Sequence, residues 1–280
     1  MWTAESRALV GDFGAGQALS DERYALLTPL IPPAKPGGRP RTTDMRRLLD
    51  GLFYLVRTGC QWRHLPPPPA FSALADGVRL HARLCGRRRV GEHAPPARDD
   101  AARAGRPGGQ PHCRDHRYPE RQDDRKRGPR GWDAAKKVKG RKRHIAADTS
   151  GLLLGVAVHA ADVQDADGAG DLLKRLKRLY PWLKIVFADS VYDRLAALLA
   201  CFLLGLTLIV VRRLAGTEGF VLLPRRWVAE RTLGWLGRWR RLSKEYEELP
   251  EVSETMVKLA MIRLMLHRLA HPNRKRLPAA

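Results

Sequence analysis

Glu230 is a single carboxylate set in a run of cations. The stretch VLLPRRWVAERTLGWLGRWRRLSK, residues 221–244, surrounds it with Arg225, Arg226, Arg231, Arg238, Arg240, Arg241 and Lys244. At 3.6 residues per turn, a helix here places Arg226, Glu230, Gly234, Arg238 and Arg241 along one face. Val228, Trp235, Trp239 and Leu242 fall on another that can pack inward. An acid on a basic, glycine-flattened face has the character of a metal ligand beside a phosphate backbone. Arg226 and Glu230 also read as an ordinary i,i+4 surface pair contributing about 0.3–0.5 kcal/mol. The second acid is Asp189, which closes the apolar run KIVFAD. The C-terminal ends of strands in open α/β sheets are where ligand sites gather, although a turn or helix-cap role would also place an Asp there. Two carboxylates converging on such an edge bind divalent metal, and paired metals activate water and then a hydroxyl for in-line attack on a phosphodiester.

The chain-wide charge agrees with an anionic partner. Its 280 residues carry 51 Lys plus Arg against 29 Asp plus Glu, a formal net charge of +22. The excess is spread along the chain, the electrostatic footprint of nucleic-acid binding. Hydrophobic residues make up 44%, enough to bury a core. Cys60, Cys85, Cys113 and Cys201 have neither disulfide-framework nor zinc spacing, which fits a reducing cytoplasm. The apolar run from Leu195 to Val211 is too short to span a bilayer and contains Gly205, so no membrane partner is expected.

Several elements must position these acids. Ser20 caps a short helix, Asp21 to Leu30, stopped by Pro32 and Pro33. AKPGGRPRTT then forms a loop whose Gly38-Arg39-Pro40 is similar to the arginine hooks that enter narrow minor grooves, and equally to a plain linker. Thr43 caps an amphipathic helix bearing Leu48, Leu49, Leu52, Phe53, Leu55 and Val56 that stops at Gly59. With CQWRHLP after it, the segment suits a helix-turn-helix-like DNA reader or any small helical domain. Residues 86–130 are poor in large apolar side chains and are expected to be disordered. RHIAADT and LLLGVAVHA read as strands joined at Ser150-Gly151, Asp171 to Leu179 as a helix and KIVFADS as a buried strand. Arg194 to Leu204 reads as a helix, LTLIVV as another buried strand, and Ser253 to Ala270 as a final helix. The alternation argues for an α/β domain with a mixed sheet. His144, His159 and His267 stand apart in the sequence and read as surface or packing residues. Asp148, Asp162, Asp165 and Asp167 read as turn and loop acids, and Trp227, Trp235 and Trp239 as core.

The segments GPRGWDAAKKVKGRKRHIAADTSGLLLGVAVHAADVQDADGA, FADSVYDR, VLLPRRWVAERTLGWLGRWRRLSKEYE and MIRLML resemble, in order and spacing, the bacterial insertion-sequence transposases of the Asp-Asp-Glu type. LSDERYALLTPLIPPAKPGGRPR and LLDGLFYLVRTGCQWRHLP resemble that group's helical DNA-binding region. The resemblance implies an RNase H-like mixed sheet flanked by helices over 128–270 and a helix-turn-helix-like DNA-binding domain over 18–68; the composition between them makes 69–127 a disordered or scrambled linker. It further implies three acids holding two Mg²⁺ (or Mn²⁺) ions. Asp189 matches the second acid, Glu230 the third, and Arg226 the arginine that accompanies the third near DNA. The expected tyrosine seven residues before Glu230 is Leu223 here, and the glycines after the second acid are Ser190-Val191. The implied partners are duplex DNA, as terminal inverted repeats and target, and a second copy on that DNA; the implied location is the bacterial cytoplasm, at the nucleoid. Arg39, Arg41, Lys136, Lys137, Lys139, Arg141, Lys142, Arg143, Arg226, Arg238 and Arg241 are the expected DNA contacts.

The first acid is the departure. Relatives carry it at the end of an apolar strand shortly before the GPRGWD-like motif, and no such strand is apparent here. A reverse translation of Cys113 to Arg125, using permitted codons and read one nucleotide later, gives Ala-Ala-Ile-Ile-Asp-Thr-Gln-Ser-Val-Lys-Thr-Thr-Glu. A pair of compensating frameshifts, near residues 69–78 and near Lys126, is therefore expected to have removed the central first strand and its Asp. The original codon would straddle Arg117 and Tyr118, with Asp115 a poor substitute. The resemblance thus leads to a transposase that cleaves and transfers strands, impaired in this copy, or to a DNA-binding remnant that cannot cut.

Overall fold

A computed structural model describes residues 19–33, 41–65, 112–116, 128–133, 137–212 and 226–270. Two short helices come first. In α1 (Asp21–Leu27) the Ser20 side chain accepts from the Arg23 backbone N–H, as a capping serine should, and a 3₁₀ turn (Thr28–Leu30) extends it. Helix α2 (Met45–Thr58) is capped by Asp44, one residue beyond the expected Thr43, and its carboxylate accepts from the N–H groups of Arg46 and Arg47. It ends at Gly59, whose φ of 69° is the left-handed cap that glycine adopts without strain. CQWRHLP supplies only a 3₁₀ turn, Trp62–His64. The Gly38-Arg39-Pro40 hook lies outside the described residues.

The sheet comprises β1 (His112–His116), β2 (Gly131–Asp133), β3 (Val138–Ala147), β4 (Leu153–Ala160), β5 (Ile185–Asp189) and β6 (Thr207–Val211). Strand β3 pairs antiparallel with β4, β1 and β2, while β1, β5 and β6 run parallel. With helices against it, this is the RNase H-like mixed sheet that the resemblance implies. One expectation is corrected: the central first strand is present, and His112–His116 fills the place between β3 and β5. Composition argued against order there because the segment is polar, yet strand pairing is a backbone transaction that two flanking strands supply on both edges. The rest of the expected scrambled segment lies outside the described residues.

Helix α3 (Asp165–Leu179) begins six residues earlier than expected. The reason is packing: Ala166 and Ala169 are buried, and a Cβ on Gly168 would come within 2.1 Å of the His159 ring, so the first turn docks closely through small residues. Helix α4 (Leu195–Leu203) keeps its expected place. Strand β6, expected to be buried, is an edge strand with Thr207 and Ile209 exposed. Helix α5 (Arg226–Gly237) stops before Trp239, and Arg240–Leu242 form a separate 3₁₀ turn. Helix α6 (Pro250–Ala270) completes the fold.

Two apolar clusters hold these layers together. One joins Leu52, Phe53, Leu55 and Val56 of α2 to Leu153 and Val156 of β4, Leu233 and Leu236 of α5, and Met256 and Met261 of α6. The other packs Leu172, Leu173 and Leu176 of α3 against Val186 of β5 and Cys201 of α4. The sheet therefore has α5, α6 and the N-terminal helices on one side and α3 with α4 on the other.

Candidate functional site

Asp189 is the last residue of β5, half-buried, and its carboxylate accepts from the Ser190 N–H at 2.7 Å as it caps the 3₁₀ turn Ser190–Tyr192. The capping role exists alongside any chemical one. Glu230 lies mid-α5 and is half-buried. Helix α5 packs across β1, β3 and β5, so the helix bearing Glu230 lies on the sheet that ends in Asp189. Its position is pinned by Thr232, whose hydroxyl donates to the Gly151 carbonyl at 2.8 Å in the β3–β4 turn. A Cβ on Gly151 would come within 2.8 Å of that same hydroxyl, and its φ of 79° also calls for glycine.

The expected face of α5 is only partly realised. Arg238 follows the helix and is exposed, but Arg241 belongs to the separate turn and is buried, with Nε donating to Glu247 at 2.7 Å and Nη1 to the Cys60 carbonyl at 3.0 Å. Arg226 opens α5, four residues before Glu230. Arg231 lies between the Trp227 and Trp235 rings at 4.4 and 4.9 Å, and Arg268 covers Trp235 at 4.1 Å, so those indoles are half-buried cation-π partners while Trp239 is core.

The basic run on β3 divides in two. Lys137 and Lys139 are exposed, but Arg141, Lys142 and Arg143 are buried and engaged inside the protein, which corrects their expected place on DNA. Arg143 Nη2 donates to Glu245 at 2.8 Å, and Arg141 donates to the carbonyls of Pro129 and Glu247 at 2.8 and 2.9 Å. Lys142 pairs with Asp165 at 2.9 Å, so Asp165 is a buried counter-ion and not a loop acid. A buried guanidinium costs several kcal/mol unless it is paired, and the chain supplies the pairs. Glu245 and Glu247 escaped the sequence reading, in which Asp165 reads as a loop acid; the available signal for the first two was acids recurring just beyond a basic run, in KEYEE. Arg41 is exposed and donates to the carbonyls of Pro32 and Pro33 at 2.8 and 3.0 Å. Arg39 and Lys136 lie outside the described residues.

His144 and His159, far apart in sequence, are stacked with ring centroids 4.5 Å apart and their Nε2 atoms in contact. His144 Nδ1 lies 2.6 Å from the Tyr192 hydroxyl, in the turn just after Asp189. Burial pushes the His159 imidazole below its ordinary pKa.

No helix among the described residues is long and apolar enough to cross a membrane. Residues 107–265 match the family described as "Transposase DDE domain", and residues 19–78 match "Putative transposase of IS4/5 family". The chain is 30% identical over 141 residues to the "Putative transposase for insertion sequence element IS402" of Burkholderia cepacia, an alignment covering 48% of this chain and 65% of that protein. Among solved structures, the catalytic core domain of BIV integrase aligns with 60% of this chain and 86% of its own length, at 16% identity and a TM-score of 0.31. With a family match spanning more than half its length over the sheet that carries Asp189 and the helix that carries Glu230, the chain belongs to the DDE transposases of bacterial insertion sequences.

Proposed function

We propose that this protein binds the DNA ends of an insertion sequence and that strand cleavage by this copy is impaired by loss of the first catalytic acid. One observation carries the reading: β1, the strand beside the one ending in Asp189, is His112–His116, and the next two residues in sequence, Arg117 and Tyr118, stand where the shifted reading would encode the Asp, with Asp115 two positions earlier. The shifted reading of Cys113 onward, Ala-Ala-Ile-Ile-Asp, starts inside this same strand and ends just past it. Sequence argument and strand placement therefore point to one stretch of chain.

The family implies a divalent metal, which in the intact arrangement polarises phosphate oxygens and activates the attacking oxygen. Asp189 and Glu230 are the carboxylates this chain offers at the family's motif positions, while Asp115 lies within β1, two residues before Arg117. Among the described residues no group of three His, Cys, Asp or Glu side chains comes together to hold a metal ion. Divalent ions of the Mg²⁺ type bind through carboxylates to which substrate oxygens are added, and paired ions need more acid than two motif carboxylates supply. This donor set does not fit a two-metal centre, so no cleavage step is assigned to it. The residues instead support association, since the +22 charge favours phosphate-rich partners.

The test uses the purified chain with duplex DNA carrying the terminal repeats that flank its own gene. Salt-sensitive binding without nicking in Mg²⁺ or Mn²⁺ is expected. A repaired protein, with Cys113 to Arg125 replaced by the shifted reading, is expected to nick, and Glu230→Gln in that protein to abolish it. Turnover by the unrepaired chain would overturn the proposal. The gene itself bears on the cause: a +1 frame that does not encode the apolar Asp-ending strand eliminates the frameshift explanation.

A further inference from the structure

The β2–β3 ribbon presents an aromatic side chain where a buried or tucked one would be expected. Trp132 is the middle residue of β2, 56% exposed, while its neighbours Gly131 and Asp133 are buried. It pairs in register with Lys139 of β3, which is exposed, and Lys137 is exposed where the ribbon turns. An indole left open to water in a short strand and bordered by two exposed lysines combines the two features that single-strand binders use: a face for stacking and cations for the backbone.

The ribbon is rigidly seated. A Cβ on Gly131 would come within 2.3 Å of the Asp162 backbone nitrogen, so the strand lies directly against the β4–α3 turn. The Ala161 N–H donates to the Gly140 carbonyl at 2.9 Å, and the Arg141 guanidinium ties the base of the ribbon to the Pro129 and Glu247 carbonyls. The backbone that carries Trp132 is thus fixed before any partner arrives, which reduces the ordering cost of binding.

Register places the ribbon relative to the acid. Ala188 pairs with Cys113, and Arg114 pairs with Ile145, so Asp189 stands level with Ile145 across the sheet. Moving from Ile145 toward Lys139 follows the direction in which β1 and β5 end, so the ribbon projects past the edge that carries Asp189. Six residues at ~3.4 Å each put Trp132 and Lys139 roughly 20 Å beyond it. At ~3.4 Å per nucleotide along one strand, that is about six nucleotides.

We propose that the β2–β3 ribbon is a second DNA contact, in which Trp132 stacks on an unpaired base about six nucleotides from the Asp189 edge while Lys137 and Lys139 hold the adjoining phosphates. The inference rests on the DNA-binding reading above and adds the ligand's form: DNA with a locally unstacked strand, in preference to intact duplex. The two cations set affinity and salt dependence, and the indole sets the preference for a free base face.

The experiment measures binding of the full chain to a 30-nucleotide single strand, to the duplex of the same sequence, and to that duplex with a central three-nucleotide gap, each at two salt concentrations. The wild type is expected to prefer the single strand and the gapped duplex. Trp132→Ala should weaken both by about tenfold, leave intact-duplex binding and the salt slope unchanged, and be rescued by Trp132→Phe. Lys139→Ala should lower the salt slope by about one for every DNA. Because Trp132 is exposed, its variants should keep the wild-type melting temperature, which separates lost contact from lost fold. Trp132→Ala binding all three DNAs as the wild type does would overturn this inference and leave the DNA-binding reading intact. A wild type that binds none of them would overturn both.

Discussion

Glu245 holds two guanidiniums at once: its carboxylate lies 2.8 Å from Arg143 and 3.6 Å from Arg141, and it also accepts from the Ser253 hydroxyl at 2.8 Å. Removing one partner of such a buried set leaves uncompensated charge, which costs more than the pair itself contributes. Glu245→Ala should therefore destabilise the fold by about 3–5 kcal/mol in urea denaturation. At His144 and His159 the constraint is protonic. Two imidazoles with their Nε2 atoms in contact cannot both be cations, and burial holds His159 below the ordinary 6.5. Its ring resonances in NMR should titrate below 6.5, and substituting His144 by Gln should move that midpoint upward by relieving the packing that excludes water.

At the scale of elements, α2 is tied to Leu19, just before α1, by the side chains of Arg46 and Asp50, and the second of these titrates. The Asp50 carboxylate accepts from the Leu19 N–H at 2.7 Å, and desolvation raises its pKa from 3.8 to about 6 despite that bond and the nearby Arg46 and Arg263. A carboxyl that holds its proton more tightly in the folded state stabilises the fold at low pH, and this contribution is lost as pH rises from 3.8 through 6. Asp50→Asn should raise stability at pH 7.5 by about 1 kcal/mol after allowance for solvent screening, with the difference from wild type vanishing below pH 4. Thermal melts of the two proteins across that range would check the sign. The turn that seats β2 makes a steric prediction: Gly131→Ala drives a methyl group into the Asp162 backbone, and the melting temperature should fall by several degrees.

Over the whole molecule, the central position of the sheet is filled by an unpromising sequence. His-Cys-Arg-Asp-His supplies backbone bonds to β3 and β5 but few of the β-branched and apolar residues that strands paired on both sides ordinarily carry. Replacing Cys113 to Arg125 with the shifted reading, which puts two isoleucines there, should raise the melting temperature as well as restore nicking. A repaired protein that melts no higher than the original would show that the strand register is not what limits stability. Charge acts at this scale too. Binding to any DNA should fall steeply with salt, but less steeply than the full basic run predicts, because Arg141, Lys142, Arg143 and Arg241 are spent on Glu245, Asp165, Glu247 and backbone carbonyls.

Much of this was legible in the residues themselves. Apolar spacing and Gly59 marked α2, the KIVFAD run marked β5 and put Asp189 at its tip, and the order of motifs carried the family. These are local facts, set by 3.6- and 2-residue periodicity and by which residues can start or stop an element. Other features were decided only when distant segments met. Alternation along GRKRH could not reveal that three consecutive cations would be buried, because their counter-ions lie across the fold on the α5–α6 connection and at the start of α3. Polar composition could not reveal that His112–His116 would pair, because the reason lies in the open edges of β3 and β5. A sequence records what each stretch prefers alone, whereas burial and pairing depend on partners tens of residues away, and at a charged position the partner determines whether the side chain faces DNA or the core.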